Sequence, residues 1–121
     1  MLVTGASSGI GKALARKLAE VGAIVVTIAR DREQLDAVVT EFAADGLTLH
    51  TYVGDLADMA DAEAVTARVM EDHGAVDVLV NNAGRSIRRA IENSYDRFHD
   101  FERTMQLNYF GALRVTMGML P

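Results

Sequence analysis

Apolar positions along this chain switch repeatedly between two spacings, and the switching predicts an order of elements. Met1-Leu2-Val3 is a short apolar run. Ile10, Ala13, Leu14, Leu18 and Val21 then follow helical spacing, which predicts a helix from Gly9 to about Val21 with one buried stripe, ended by Gly22. Ala23 to Ala29 is a nearly continuous apolar, β-branched run, as expected of a strand buried on both faces. Asp31 suits the cap of a second helix whose buried stripe is Leu35, Val38, Val39 and Phe42, with Gly46 as its stop. Leu47 to Val53 reads as a third strand. A third helix is predicted from about Asp58 to Asp72, with Val65 and Val69 inward and a stop near Gly74. Val76 to Val80 forms the fourth strand, and a last helical segment runs from about Tyr95 or Asp100 to Met119.

Strands alternating with helices at this spacing imply a parallel sheet with right-handed crossovers and helices on both faces. Ligands of such sheets bind at the carboxyl ends of the strands, at the topological switch point. No internal repeat, low-complexity tract or linker divides the chain, so its 121 residues form one domain.

Composition narrows the chemistry. Half the residues are hydrophobic, as expected of a globular chain. The absence of cysteine excludes disulfides, thiolate zinc sites and thiol nucleophiles. A net charge of −5 argues against non-specific nucleic-acid binding. No apolar stretch reaches the ~18 residues of a membrane span, and no signal peptide precedes the first strand, so the expected compartment is the cytoplasm. Of the 12 basic residues only Lys12 and Lys17 are lysines. No metal site is expected.

The segment Thr4-Gly5-Ala6-Ser7-Ser8-Gly9-Ile10-Gly11 lies between the first strand and the first helix. A strand, a glycine-rich turn and a helix N-terminus together aim backbone N–H groups and a helix dipole at an anion. Gly5 permits the tight turn, Gly9 lets a pyrophosphate approach the backbone, and Gly11 lets the helix pack closely. The spacing is G-x-x-x-G-x-G rather than G-x-G-x-x-G. It is not a P-loop: Ala6 stands five residues before Gly11, and Ala13 replaces the hydroxyl residue that would hold magnesium. Taken alone, the same glycines also fit a connection without a ligand.

Residues that follow the other strands complete a pattern. Ala29 and Arg30 follow the second strand, Asp55 and Leu56 the third, and Asn81-Asn82-Ala83-Gly84 the fourth, while Asn108 lies in the last helix. In this order the chain resembles the N-terminal, cofactor-binding half of the short-chain dehydrogenase/reductase family over essentially its whole length. The resemblance implies an α/β fold: a Rossmann-type doubly wound parallel sheet, truncated after the fourth strand and following helix, with residues 1–121 a partial NAD(P)-binding domain. It implies cofactor contacts from Gly5, Ser7, Ser8, Gly9, Ile10, Gly11, Arg30, Asp55, Leu56, Asn82, Ala83 and Gly84. Asn108 corresponds to a catalytic asparagine at a local helix break, whose carbonyl orders a water in a proton relay.

Arg30 stands where an acidic residue would bind the ribose hydroxyls of NAD. A guanidinium there pairs with a 2′-phosphate, so NADP(H) is expected over NAD(H). Adjacent Asp31 would partly cancel that charge, and Arg30 also fits a plain surface arginine. Asp55 fits either an adenine contact or a helix N-cap. Asn108 also fits a chance polar position on the helix surface.

The resembling family also uses a serine and a tyrosine whose pKa, about 10 when free, is lowered by a lysine four positions on. Here Tyr52, Tyr95 and Tyr109 are followed at that spacing by Leu56, His99 and Leu113. The chain is therefore expected to be a fragment that is inactive alone. A bare outer edge on the fourth strand would invite self-association, and the full-length form is expected to be a homo-oligomer. The implied substrate is a small-molecule carbonyl or alcohol. The arginine-rich stretch Arg85–Arg103 resembles actinobacterial reductases acting on long-chain or acyl-CoA substrates, although a solvated charged helix explains it as well. A non-catalytic nucleotide-binding or interaction module is the alternative function, and a different mononucleotide binder a third.

Overall fold

The computed structural model describes all 121 residues. Strand β1 (Leu2–Thr4) is followed by α1 (Gly9–Glu20), β2 (Val26–Ala29), α2 (Arg32–Ala44), β3 (His50–Val53), α3 (Met59–His73) and β4 (Leu79–Val80). A single 3-10 turn (Ile91–Asn93) then leads to α4 (Phe98–Met105), a π-helical turn (Gln106–Gly111) and α5 (Ala112–Met119), which run on without a break in the chain's helical course. The sheet order is β3-β2-β1-β4 and every pairing is parallel. β1 is thus central, with Val3 in register with Thr27 on one side and Val80 on the other.

Alternation along β1 splits the core in two. Leu2 points to one face and packs with Val26, Ile28, Val65, Val69 and Val115, beneath α3 and α5. Val3 points to the other and packs with Ala15, Val25, Val38, Phe42 and Leu49, beneath α1 and α2. Local chemistry starts α2 and α3 and stops α1, α2 and α3. Asp31 accepts from the Gln34 N–H and Asp58 from the Asp61 N–H, both at 3.1 Å. Gly22, Gly46 and Gly74, at φ of 88°, 72° and 76°, turn the chain away afterwards. No helix is long and apolar enough to cross a membrane.

Three expectations need correction. The stripe of α1 is rotated: Gly11 and Ala15 are buried, while Ile10 and Val21 are 81% and 80% exposed and Ala13 faces out. The helix lies so close to the sheet that Gly11 and Ala15 face it, Leu14 and Leu18 pack against the core beside them as predicted, and Ile10 and Val21 stand out at its two ends. β2, β3 and β4 are all shorter than predicted, β2 beginning only at Val26. Leu49 is buried and Val78 accepts from the Leu2 N–H at 2.9 Å, but neither falls within a ladder. The last helix starts at Phe98 and its ladder is interrupted by the π turn. β4 pairs only with β1 and leaves its other edge free.

Candidate functional site

The carboxyl ends of all four strands open into one cleft of about 870 Å³. Its floor is built by hydrogen bonds between the loops after β1 and β4. Thr4, 1% exposed, presents Oγ1 as acceptor to the N–H groups of Asn82 and Ala83 at 3.1 and 3.0 Å. The Asn82 amide donates back to the carbonyls of Thr4 and Gly5 at 3.1 and 3.2 Å. Thr27, fully buried on β2, accepts from the Ala6 N–H at 3.1 Å, and the Gly5 N–H donates to the Ile28 carbonyl at 2.9 Å. These bonds satisfy buried polar groups internally and fix the turn in one shape.

The glycines have specific roles in that shape. Gly5, at φ 72°, backs onto Ala83, whose Cα would stand 3.0 Å from an added Cβ. At Gly11 a Cβ would collide with the Asn82 amide and the Gly5 carbonyl, so the close approach is to the loops as much as to the sheet. Gly9 has φ 58° and open space where its Cβ would be. Ser8 occupies the N-cap of α1 without a side-chain capping bond, which leaves the leading N–H groups available to an anion.

Of the sequence-predicted residues, Gly5, Ser7, Ser8, Arg30, Leu56, Asn82, Ala83 and Gly84 line the cleft. Gly9, Ile10, Gly11, Asp55 and Asn108 are not among the lining residues. Ile10 projects from the first turn of α1 into solvent. Asp55 is not a helix cap: that position belongs to Asp58, while Asp55 folds back to accept from the Ala57 N–H at 3.0 Å and donates its own N–H to Asp61 at 2.6 Å. Asn81 points away from the cleft, donating to Thr116 on α5 at 3.1 Å.

Beyond β2 the charges sort themselves. The Asp31 carboxylate is engaged at the N-terminus of α2, and neither Arg30 nor Arg32 belongs to any ion pair. Both arginines line the cleft. Arg32, Gln34 and Gly54 join the lining without having been singled out from the sequence; a Cβ on Gly54 would lie 2.8 Å from Val65.

Asn108 sits inside the π turn. Its Oδ1 accepts from the Arg85 N–H and its Nδ2 donates to the Arg85 carbonyl, each at 2.7 Å. This two-way clamp fixes the chain next to Gly84, at the edge of the cleft. A π turn widens the helix by one residue and disturbs its local hydrogen-bond ladder. Gly111 lets this turn press against the loop after β3, because a Cβ there would strike the Leu56 carbonyl. Five arginines occupy the stretch from Arg85 to Arg103. Two of them are committed: Arg89 and Arg97 both donate to Asp100.

Tyr52 is not prepared to act as a base. The Tyr52 phenol lies on β3, where burial and its bond to Asp72 at 2.7 Å push its pKa up to about 12. No group of side chains could hold a metal ion.

A family model described as short chain dehydrogenase matches residues 1–121. An uncharacterized oxidoreductase of Mycobacterium bovis is 54% identical over 125 aligned positions, which cover all of this chain and 36% of that protein. A fatty acyl-CoA reductase of Acinetobacter baylyi is 49% identical over 99% of this chain and 41% of its own length. Among solved structures, the Pseudomonas aeruginosa RhlG/NADP active-site complex superimposes with a TM-score of 0.89 at 38% identity, covering 99% of this chain and 46% of that one.

Proposed function

The chain belongs to the short-chain dehydrogenase family, and from that premise we propose that it is the NADP(H)-binding half of an oxidoreductase that moves a hydride between nicotinamide and a carbonyl or alcohol. One observation carries the cofactor choice. Arg30 stands unpaired in the cleft after β2, and the neighbouring Asp31 carboxylate is turned to the α2 N-terminus. A free guanidinium pairs bidentately with a 2′-phosphate, and Arg32 adds a second unpaired cation to the same wall.

The remaining contacts follow the cleft. Ser7, Ser8 and Gly9 take the pyrophosphate at the uncapped N-terminus of α1. Leu56, with Asp55 behind it, takes the adenine. Asn82, Ala83 and Gly84 wall the centre, and Ile10 and Gly11 lead to the nicotinamide end. Asn108 is the catalytic member of this chain: with its side chain spent on Arg85, its backbone in the π turn is what remains to hold a proton-relay water. The cofactor supplies the hydride, and this chain binds and orients it. The proton donor is expected from a tyrosine–lysine pair, which none of Tyr52, Tyr95 and Tyr109 provides. These residues alone are therefore proposed to bind NADP(H) without turnover.

Substrates are proposed to be acyl or long-chain carbonyl compounds, supported by the fatty acyl-CoA reductase of Acinetobacter baylyi among the relatives. A homo-oligomer of the full-length form is supported by Phe98, Phe101, Met105 and Met117, exposed along α4 and α5. Titration with NADP⁺, NAD⁺ and ATP tests the cofactor reading. It predicts the tightest binding for NADP⁺; equal or tighter binding of ATP would refute it.

A further inference from the structure

From Arg85 to His99 no residue is buried, so hydrophobic packing does little to fix this segment. Its position depends on polar tethers. One is the Asn108 clamp on Arg85. The other is Asp100, in the first turn of α4 and only 6% exposed. Its Oδ2 accepts from Arg89 Nη1 at 2.5 Å and Arg97 Nε at 2.8 Å, and its Oδ1 from Arg97 Nη2 at 3.3 Å. His99 Nε2 stands 3.4 Å from Oδ1. Arg89 and Arg97 bracket the 3-10 turn, so one carboxylate closes both ends of that segment onto the helix. Ser94 ties the interior by donating to the Ala90 carbonyl at 3.0 Å. A cavity of about 150 Å³ lies against the anchor, with Ile87, Ile91 and Phe101 among its walls.

The loop starts at Gly84, which lines the cleft across β1 from Arg30. We propose that Asp100 is a positioning residue: through Arg89 and Arg97 it fixes the 85–97 loop, which leaves the cleft at Gly84 and would flank the entry of a carbonyl substrate on the side remote from Arg30. Arg88 takes no part in an ion pair and rides on this loop as a free cation. Only the kinetic consequence rests on the oxidoreductase reading; the anchoring stands apart from it.

Asp100→Asn leaves two guanidinium groups facing a neutral amide, and the loop should be released. In the full-length protein under native conditions, trypsin should then cleave after Arg85, Arg88 or Arg89 at least about tenfold faster, with cleavage after Lys12 and Lys17 in α1 unchanged, because local opening governs native proteolysis. The KM for a long-chain aldehyde should rise at least about fivefold, with a smaller change in kcat and an NADP⁺ Kd within about threefold, the pattern of lost substrate positioning. Unchanged loop cleavage would overturn the anchor. A matching rise in the NADP⁺ Kd would overturn the assignment to the substrate end. If Asp100→Asn accelerates cleavage everywhere, Arg89→Met decides: it keeps the Arg97 pair, and faster cleavage at Arg85 and Arg88 alone supports the anchor, while none refutes it. A wild-type protein that reduces no carbonyl compound sinks the oxidoreductase reading, and loop cleavage still decides the role of Asp100.

Discussion

The two ends of the cleft are held together by different physics. At the glycine turn, backbone groups and the buried hydroxyls of Thr4 and Thr27 make a dense set of bonds, and Asn82 stitches the loop after β4 to the turn after β1. At the other end, the 85–97 loop has no buried residue and rests on the Asn108 clamp and the Asp100 ion pairs. The first end is a fixed cradle suited to an invariant ligand part such as a pyrophosphate. The second is a few tethers deep, which suits the part of a site that must admit and release substrates. Bonds to buried hydroxyls leave few alternatives, whereas tethers on a loop without buried residues can open locally without unfolding the sheet.

The contrast can be broken most severely at the cradle. Gly11→Ala places a methyl against the Asn82 amide and the Gly5 carbonyl, neither of which can yield without moving the turn. Such overpacking costs about 1–3 kcal/mol. We expect a lower Tm in calorimetry and an NADP⁺ affinity reduced by more than about tenfold; an unchanged affinity would mean that the turn does not bind the cofactor.

At the tethered end the effect is smaller and depends on pH. The guanidinium groups of Arg97 and Arg89 hold the Asp100 carboxyl well below the usual aspartate range. Its contribution to stability is therefore present above the unfolded pKa of 3.8 and is lost as pH falls through the depressed folded value. The Tm difference between the wild-type protein and Asp100→Asn should be constant from about pH 7 to 5 and shrink below about pH 4. A difference that vanished between pH 7 and 5 would contradict a depressed Asp100 carboxyl.

The smallest effect lies outside the cleft. Tyr52, at about 12, is raised above its ordinary 10.0 by burial and by Asp72. Its contribution is complete below pH 10 and is lost as pH rises through 12. Ultraviolet titration should show one late phenol that disappears in Tyr52→Phe, with stability at pH 7 little changed.

Much of the cradle was legible because it is local. Gly5, Gly9 and Gly11 stand at fixed offsets from a strand end, and apolar spacing gave the order of strands and helices. The role of the Thr4 hydroxyl is not legible in the turn itself, because its partners lie 78 and 79 residues away. The rotated stripe of α1 was misread because spacing marks large apolar residues, while a helix pressed onto a sheet buries small ones such as Gly11 and Ala15. Asp55 and Asp58 offered equal capping chemistry, and only the fold chose Asp58. The helix break at Asn108 was expected from the family resemblance alone; no side-chain pattern distinguishes a π turn from an ordinary one. Pairing of Arg89 and Arg97 with Asp100 was hidden for a related reason, since five arginines and four acids in one stretch allow many pairings.

The most direct measurement compares the Kd values of NADP⁺ and NAD⁺ for the wild-type protein and for Arg30→Ala by calorimetry. A charge-assisted pair with a phosphate is worth about 1.5–3 kcal/mol, or roughly ten- to a hundredfold. The account predicts that the variant loses that factor for NADP⁺ and keeps its NAD⁺ affinity within about threefold. A variant that binds NADP⁺ as tightly as the wild type, or a wild-type protein that prefers NAD⁺, would contradict it.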